Sequence, residues 1–569
     1  MMRRVASESI AAMNQVPGPL KEISSLPPLA AGLGVETCAV RTQIGVITAI
    51  RGANVTALLS APGISRQVNL SIGGLLAMPG DLSIVYGMVQ SMSGGGYTLI
   101  GTGSEARMIE IQLLGEILLD KTGAQGRFHR GVTYYPHFDT PVMTADARDL
   151  AMVYAPPDVA IARLGSIHQD RSIPAYAVTD ELLAKHFAVL GTTGSGKSCV
   201  VSLVLHAILD QNPNGHIVLI DPHNEYAAAF GDQAEAIHLS NLLLPYWLLN
   251  FEELVEVVIG QNQERSYPEI EILKIGVVEA KKAFLKEGER SDHITVDTPV
   301  PYRLGDLIKV FEDAMGKLER TEEVVSYLRL KSKIESLRAD RRFSFMFSRL
   351  LVDDSMGRIL SRILRIPVAG KPVSIVDISG IPSEVVDVVV SVLARMIFDF
   401  CVWASHDRTR QAPVLLVCEE AHRYVPRDEE LKFGPSKKAI SRIAKEGRKY
   451  GVGLCLVSQR PAELSTSALS QCNTMIALRM SNIRDQEFVA NALPESAGGL
   501  LAALPSLAQQ EAIIVGDGVT IPMRMRFDDL APERRPASDT AAFSQAWRTA
   551  DADNGFIDDI VERWRQQKR

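Results

Sequence analysis

The chain of 569 residues is poor in cysteine: Cys38, Cys199, Cys401, Cys418, Cys455 and Cys472 are scattered, and no two form a C-x-x-C pair. Several lie inside apolar runs, as free thiols do, so neither a disulfide framework nor a zinc site is expected. Long apolar runs are missing too. None approaches the roughly 18 residues of a membrane span, and after the basic start Met1-Met2-Arg3-Arg4 the residues Glu8, Asn14 and Gln15 interrupt any leader-like core. The expectation is a cytoplasmic protein with no membrane segment. Nor is there an excess of positive charge: 60 Lys and Arg stand against 67 Asp and Glu, a formal net charge of −7. That excludes a protein that coats nucleic acid with its whole surface, so any such contact must be local.

What is present is ordinary globular material, 46% apolar and 22% charged, long enough for several domains. Residues 1–35 hold Pro17-Gly18-Pro19 and Pro27-Pro28 with little periodicity and read as a tail. From 36 to 160, short β-rich stretches such as Ile44 to Ile50, Ser83 to Gln90 and Met108 to Leu114 alternate with turn signals, which suggests a small antiparallel barrel. Ser93-Gly94-Gly95-Gly96 reads as one of its hairpin turns. From 161 to 525 strands and helices alternate, the sign of an α/β parallel sheet covered on both faces. Residues 251–360 interrupt that rhythm with helical patterns and read as an insertion, and residues 526–569 read as a charged helical tail around Trp547 and Trp564.

Within the α/β region, Gly191-Thr192-Thr193-Gly194-Ser195-Gly196-Lys197-Ser198 is a complete G-x-x-x-x-G-K-[ST] phosphate loop. A four-residue apolar run, Phe187 to Leu190, enters it, and a helix-length apolar segment opening at Cys199 leaves it. Backbone N–H groups freed by the glycines close around phosphates, Lys197 supplies a charge to them, and Ser198 offers a hydroxyl to Mg²⁺. Cys199, next along the first helical turn, completes the expected nucleotide-binding set.

A nucleotide triphosphatase also needs an acid at a neighbouring strand end to hold Mg²⁺ and one to polarise water. Val414 to Cys418 followed by Glu419-Glu420 supplies both, with Glu420 as the general base and Glu419 on the metal side. Asp221 in Asp221-Pro222-His223-Asn224-Glu225-Tyr226 also follows a strand; there it serves either the metal, with Glu225 nearby, or the turn alone. Gln459, in Ser458-Gln459-Arg460-Pro461, has the place of a residue that senses the γ-phosphate or the lytic water. Between these strands, the basic run Lys437 to Lys449 is either a solvated helix face or the carrier of an arginine finger, Arg448 first and Arg442 second.

The order of these elements, together with Glu419-Glu420-Ala421-His422 and Lys445-Glu446-Gly447-Arg448-Lys449-Tyr450-Gly451, resembles the HerA branch of the HerA/FtsK translocases over nearly the whole chain. The resemblance implies a RecA-like P-loop core with an N-terminal HAS-barrel, a helical insertion and a C-terminal brace. It further implies a homo-hexamer that uses ATP and Mg²⁺ to move on double-stranded DNA through a central pore. By the motifs, Lys197 and Ser198 bind phosphate and Mg²⁺, Glu420 activates water, Gln459 is the sensor and Arg448 acts on a neighbour's nucleotide. The family also docks a nuclease or a sirtuin-like effector on the barrel, in DNA end processing or anti-phage defence. Cys418-Glu419-Glu420 departs from the Asp-Glu ending of many P-loop ATPases, and the DNA contacts fall among basic clusters that include Lys331 to Arg342. A different class of function, a ring scaffold whose ATP serves assembly of an effector, fits the same motifs. A small-molecule kinase lacks an acceptor site.

Overall fold

A computed structural model describes residues 41–566 apart from 61–67, 69, 99–104, 121–124, 261–266, 286–291, 317–320, 349–351, 382, 408, 428–433, 493–497, 538–542 and 549–553. The expected tail at 1–35 lies outside the described residues. Alternation with period two builds the N-terminal unit from β1 (Gln43–Arg51), β2 (Asn54–Leu59), β3 (Leu75–Pro79), β4 (Ser83–Thr98), β5 (Glu105–Leu119), β6 (Gln125–Arg130) and β7 (Pro141–Thr144). The antiparallel order β1-β7-β3-β4-β5-β2 closes on itself through the β1–β2 pair, and β6 adds to the outside of β5.

One face of each strand fills the barrel and the other joins it to the rest of the molecule. Leu76, Met78, Val85 and Val89 pack with Ile44, Ile109 and Ile111 inside the barrel. Their alternate neighbours Leu75, Ala77, Ile84, Tyr86 and Met88 belong to the large core of the α/β unit. A strand buried on both sides in this way couples the two units through apolar contact rather than through a linker. Ser93 to Gly96 is not the expected turn. It continues β4, with Ser93 paired to Met108 and Gly94 to Arg107, and the register slips beyond Gly94, an irregularity that glycines without Cβ atoms accommodate.

The second sheet contains β8 (Ile161–Ile167), β9 (Pro174–Val178), β10 (Phe187–Leu190), β11 (Ile217–Asp221), β12 (Ala234–Ile237), β13 (Val373–Asp377), β14 (Val414–Cys418), β15 (Val452–Ser458), β16 (Thr474–Ala477), β17 (Glu511–Gly516) and β18 (Met523–Phe527). Its order is β12-β13-β11-β14-β15-β10-β16-β17-β18-β8-β9. From β12 to β16 the pairing is parallel, and from β17 onward antiparallel. Of the parallel strands, β10 and β14 are short, wholly apolar and buried throughout, as cover on both faces requires. Gly165 is obligatory on β8 because a Cβ there would stand 2.0 Å from the Arg526 carbonyl oxygen of β18.

The helices used below are α1 (Lys197–Leu209), α2 (Tyr267–Phe284), α3 (Leu304–Met315), α4 (Thr321–Ala339), α5 (Ser383–Ala404), α6 (Pro435–Tyr450) and α7 (Asn554–Gln566). Helices α2 to α4 all fall between β12 and β13, and they enter through a short helix, Phe251–Val258, capped by Asn250 with Glu253 at its third position. The buried Glu253 carboxylate accepts from the Asn250 N–H at 2.9 Å, from the Ser391 hydroxyl at 2.8 Å and from Arg395 Nη2 at 2.9 Å. Arg395 also donates to the Leu248 carbonyl at 2.6 Å, so one charge pair ties the start of the insertion to α5. Removing one partner of a buried pair strands the other charge, so Arg395→Ala is expected to cost about 3 kcal/mol. Ser391→Ala, which leaves the ion pair in place, should cost about 1 kcal/mol. Thermal unfolding midpoints measure the contrast; equal midpoints for the two variants would contradict it.

Candidate functional site

Parallel pairing in register gathers the sequence-predicted residues at one edge of the sheet. Leu190 lies opposite Ser458, and Cys418 opposite Leu456. The phosphate loop, the Gln459 turn and the Glu419-Glu420 pair therefore leave β10, β15 and β14 side by side, within about 10 Å across two strand spacings. Asp221 ends β11 on the far side of β14.

The loop between β10 and α1 is a cradle. Gly194 and Gly196 take φ of +75° and +92°, the left-handed region that L side chains rarely enter, and a Cβ at either would meet open space. Conformation rather than room therefore requires glycine at both positions. At Gly191 room decides as well, since a Cβ would come within 2.7 Å of both Leu478 Cβ and Ser195 Oγ. The Thr192 N–H and hydroxyl both donate to the Arg479 carbonyl, at 3.1 and 3.0 Å, which fixes the loop to the end of β16. Lys197 is buried, with Nζ donating to the Thr192 carbonyl at 3.3 Å. Burial lowers its pKa, while the charges of Glu419, Glu420 and Glu225 oppose that shift. The Ser198 hydroxyl donates to Glu225 at 2.7 Å.

Glu419 and Glu420 are both buried, and one carboxylate oxygen of Glu419 lacks a hydrogen-bond partner. Burial, then the neighbouring Glu420, pushes the Glu419 carboxyl up to about 8, with Lys197 pulling the other way. Glu420 has φ +51° and ψ 44°, a strained conformation for a residue with a Cβ that turns the chain sharply after β14. Its Oε2 lies 3.2 Å from His422 Nδ1, and the same nitrogen is 3.2 Å from the Ser458 hydroxyl. His422 thus bridges the general-base candidate to β15. The sequence reading gave it no role, although its spacing two residues after Glu420 in a tight turn was the available signal.

Gln459 is half-buried, and its Oε1 accepts from the Thr193 hydroxyl, so sensor turn and phosphate loop touch directly. Asp221 is occupied otherwise: its two oxygens accept from the His223 and Tyr226 N–H groups at 3.1 and 3.0 Å, as a turn-forming Asp does. Of this segment it is Glu225 whose carboxylate reaches Ser198.

Arg448 is not brought to this edge. Helix α6 ends at Gly451 (φ +77°) and runs straight into the start of β15, so its last turn lies at the opposite, N-terminal edge of the parallel strands. There the charge of Arg448 acts on His186, the residue before β10. Arg448 is exposed and has no ion pair among the described residues. Arg442 is committed to the fold, with its guanidinium 4.4 Å above the Phe398 ring and 3.6 Å from Asp399. In the Lys331–Arg342 cluster, Lys331 pairs with Glu312 at 2.6 Å and Arg342 with Asp340 at 2.7 Å.

The residues present fit a magnesium-bound nucleoside triphosphate. Ser195 Oγ and Glu419 Oε2 are buried without hydrogen-bond partners, and the charges of Glu419, Glu420 and Glu225 act on the buried Lys197 beside an open, glycine-shaped cradle. The Glu419 carboxyl lies near 8 in the folded chain against an ordinary 4.5. Its contribution to stability is complete below pH 4.5 and is lost as pH rises through about 8. In nucleotide-free protein, Glu419→Gln should therefore match the wild-type thermal midpoint near pH 4.5 and exceed it increasingly toward pH 8. A constant difference across that range would contradict the burial of this charge.

Comparison with known proteins agrees with this geometry. The sequence model of the family described as "Helicase HerA, central domain" matches residues 162–397. The chain is similar to the probable DNA double-strand break repair helicase HerA of Methanocaldococcus jannaschii, with 27% identity over 68% of this chain and 80% of that one. It is likewise similar to the HerA helicase of Sulfolobus acidocaldarius, with 28% identity over 75% of this chain and 80% of the relative. Among solved structures, VirB4 of Thermoanaerobacter pseudethanolicus superposes with a TM-score of 0.47 at 14% identity, covering 67% of this chain and 99% of that one. The family match takes in the phosphate loop, its helix and β11, and the helicase relatives align over two thirds of the chain or more, so the chain is a P-loop ATPase similar to the HerA helicases.

Proposed function

We propose that the chain is the subunit of a homo-hexameric ring that hydrolyses ATP to translocate on double-stranded DNA through a central pore. The observation that carries this reading is the division of the site between two edges of one sheet. Phosphate loop, acids and sensor share the C-terminal edge, while the exposed, unpaired Arg448 stands at the N-terminal edge. At about 3.3 Å per residue, the length of β10 separates Arg448 from its own phosphate loop. A second copy presenting its N-terminal edge to the first would place Arg448 beside the neighbour's nucleotide, which supports a ring in which each site is completed in trans. The HerA relatives are named as double-strand break repair helicases, which supports DNA as the track.

In this reading Ser198 and Glu419 would hold Mg²⁺, which would supply positive charge to the phosphates when bound. Lys197 adds its charge to the phosphates, and Glu225 holds the Ser198 hydroxyl beside the cradle. Glu419, its carboxyl forced up by burial, would face the cation as the metal-side acid. Glu420 takes the proton of the attacking water, with His422 beside its Oε2 fixing the carboxylate against β15. Gln459, in contact with Thr193, reports the state of the loop to β15 and hence to α6, which carries Arg448. Each turnover is thereby coupled to the face that meets the next subunit. We further propose that a nuclease or sirtuin-like effector docks on the barrel, in DNA end processing or anti-phage defence.

Lys197→Ala should abolish ATP binding, and Glu420→Gln should bind ATP while turnover falls by roughly 10²- to 10⁴-fold. Turnover of Glu420→Gln near the wild-type rate would place the general base elsewhere. Duplex DNA should stimulate the wild-type ATPase. If it does not, and effector function survives Lys197→Ala, the chain is a scaffold rather than a motor. In rings of mixed composition, an Arg448→Ala subunit should silence its neighbour's site and leave its own active; loss confined to its own site would refute the shared arrangement.

A further inference from the structure

The segment that follows β18 does not leave the molecule; it returns across the opening of α1. Asp210, at the far end of α1, holds Arg534 by two contacts, Nη1 to Oδ2 at 2.7 Å and Nη2 to Oδ1 at 2.9 Å. The Ser202 hydroxyl, one turn beyond the phosphate loop, donates to the Arg534 carbonyl at 2.7 Å. Pro536 is buried, and the Ala537 N–H donates to the Glu225 carbonyl at 2.8 Å, on the same residue whose carboxylate holds Ser198. Three independent anchors thus lay residues 530–537 as a strap against the first turns of α1 and the loop after β11.

Between the Arg534 and Ala537 anchors the strap presents one unspent cation. Arg535 donates Nε to the Leu530 carbonyl at 3.0 Å, which orients its side chain, and its guanidinium is exposed with no carboxylate partner among the described residues. The backbone on either side of it is fixed near the loop, the Arg534 carbonyl by the Ser202 hydroxyl and the Ala537 N–H by the Glu225 carbonyl. Cys199 follows Ser198, and in a loop of this kind the chain passes from the γ- and β-phosphates to the α-phosphate over these first helical residues. Of the charged residues that anchor the strap, Glu225 holds Ser198 through its carboxylate, and Arg534 and Asp210 pair with each other.

We propose that residues 530–537 form the outer wall of the nucleotide site and that Arg535 binds the α-phosphate of a nucleoside di- or triphosphate from outside the phosphate loop. The assignment rests on the phosphate-loop reading above and adds a contact that its motif does not contain. It makes the strap a positioning element. A nucleotide bridges α1 to the chain beyond β18, so gain or loss of nucleotide acts directly on the C-terminal segment leading to α7, whose Phe556, Ile557 and Trp564 are exposed.

Binding of ADP to the full-length protein, followed by isothermal titration, tests the proposal without depending on turnover. Arg535→Ala should weaken ADP binding roughly tenfold, the loss of one charge-assisted contact, with an unchanged thermal midpoint in the absence of nucleotide because the side chain is exposed. Arg535→Lys should recover part of the affinity. Asp210→Asn, which loosens the strap anchor, should weaken ADP in the same direction. ADP binding lost in Lys197→Ala but within about twofold of wild type in Arg535→Ala overturns the strap assignment alone. Binding unchanged in both overturns the phosphate-loop reading and the strap with it.

Discussion

The site depends on two carboxylates that the fold holds in a place water does not reach. Strand β14 is apolar over its whole length and buried between β11 and β15, so the chain must deliver Glu419 and Glu420 to a dry edge. Glu419 keeps an oxygen without a partner, and Glu420, its Oε2 beside His422, sits in a left-handed conformation. Such an arrangement costs stability and is sustained only because the surrounding sheet is over-determined. The buried Lys197 offsets part of the negative charge, and the remainder is a standing attraction for a divalent cation and for the proton of water. Ser198 held by Glu225, Gln459 against Thr193 and His422 between Glu420 and Ser458 all orient groups around that uncompensated charge.

The parallel sheet gives the site its directionality. Because β10, β14 and β15 run the same way, every strand end that bears chemistry emerges on one side, and every helix that returns to start a strand ends on the other. Arg448 is carried by such a returning helix, so no rotamer change brings it to its own nucleotide. An exposed cation on the edge opposite the acids gives the chain two unlike faces, which is what the proposed ring requires. The barrel, fused to the same core through alternate residues of β3 and β4, would be carried to one end of such a ring.

Much of this was legible in the sequence because the decisive features are local. A phosphate loop is set by glycines that must adopt positive φ and by a lysine and serine at fixed spacing, and the strand before it by four apolar residues. The acids after Val414 to Cys418 and the Gln after β15 were legible for the same reason. What escaped depends on contacts distant in sequence. Nothing near Asp221 says that its oxygens are spent on the turn while Glu225 takes Ser198. Nothing near Arg534 says that it will find Asp210, more than three hundred residues earlier, and bring the strap back over α1. Ser93 to Gly96 misled because three glycines are as usual in a turn as in an irregular strand, and only the pairing of β4 with β5 decides.

The central claim is that one subunit's N-terminal sheet edge completes another's nucleotide site. A structure of Glu420→Gln rings with ATP, Mg²⁺ and duplex DNA tests it most directly. The account predicts Arg448 of each subunit within hydrogen-bond distance of the neighbour's γ-phosphate, with DNA in the central channel. Rings in which Arg448 faces solvent while the nucleotide is enclosed by its own subunit alone would contradict it.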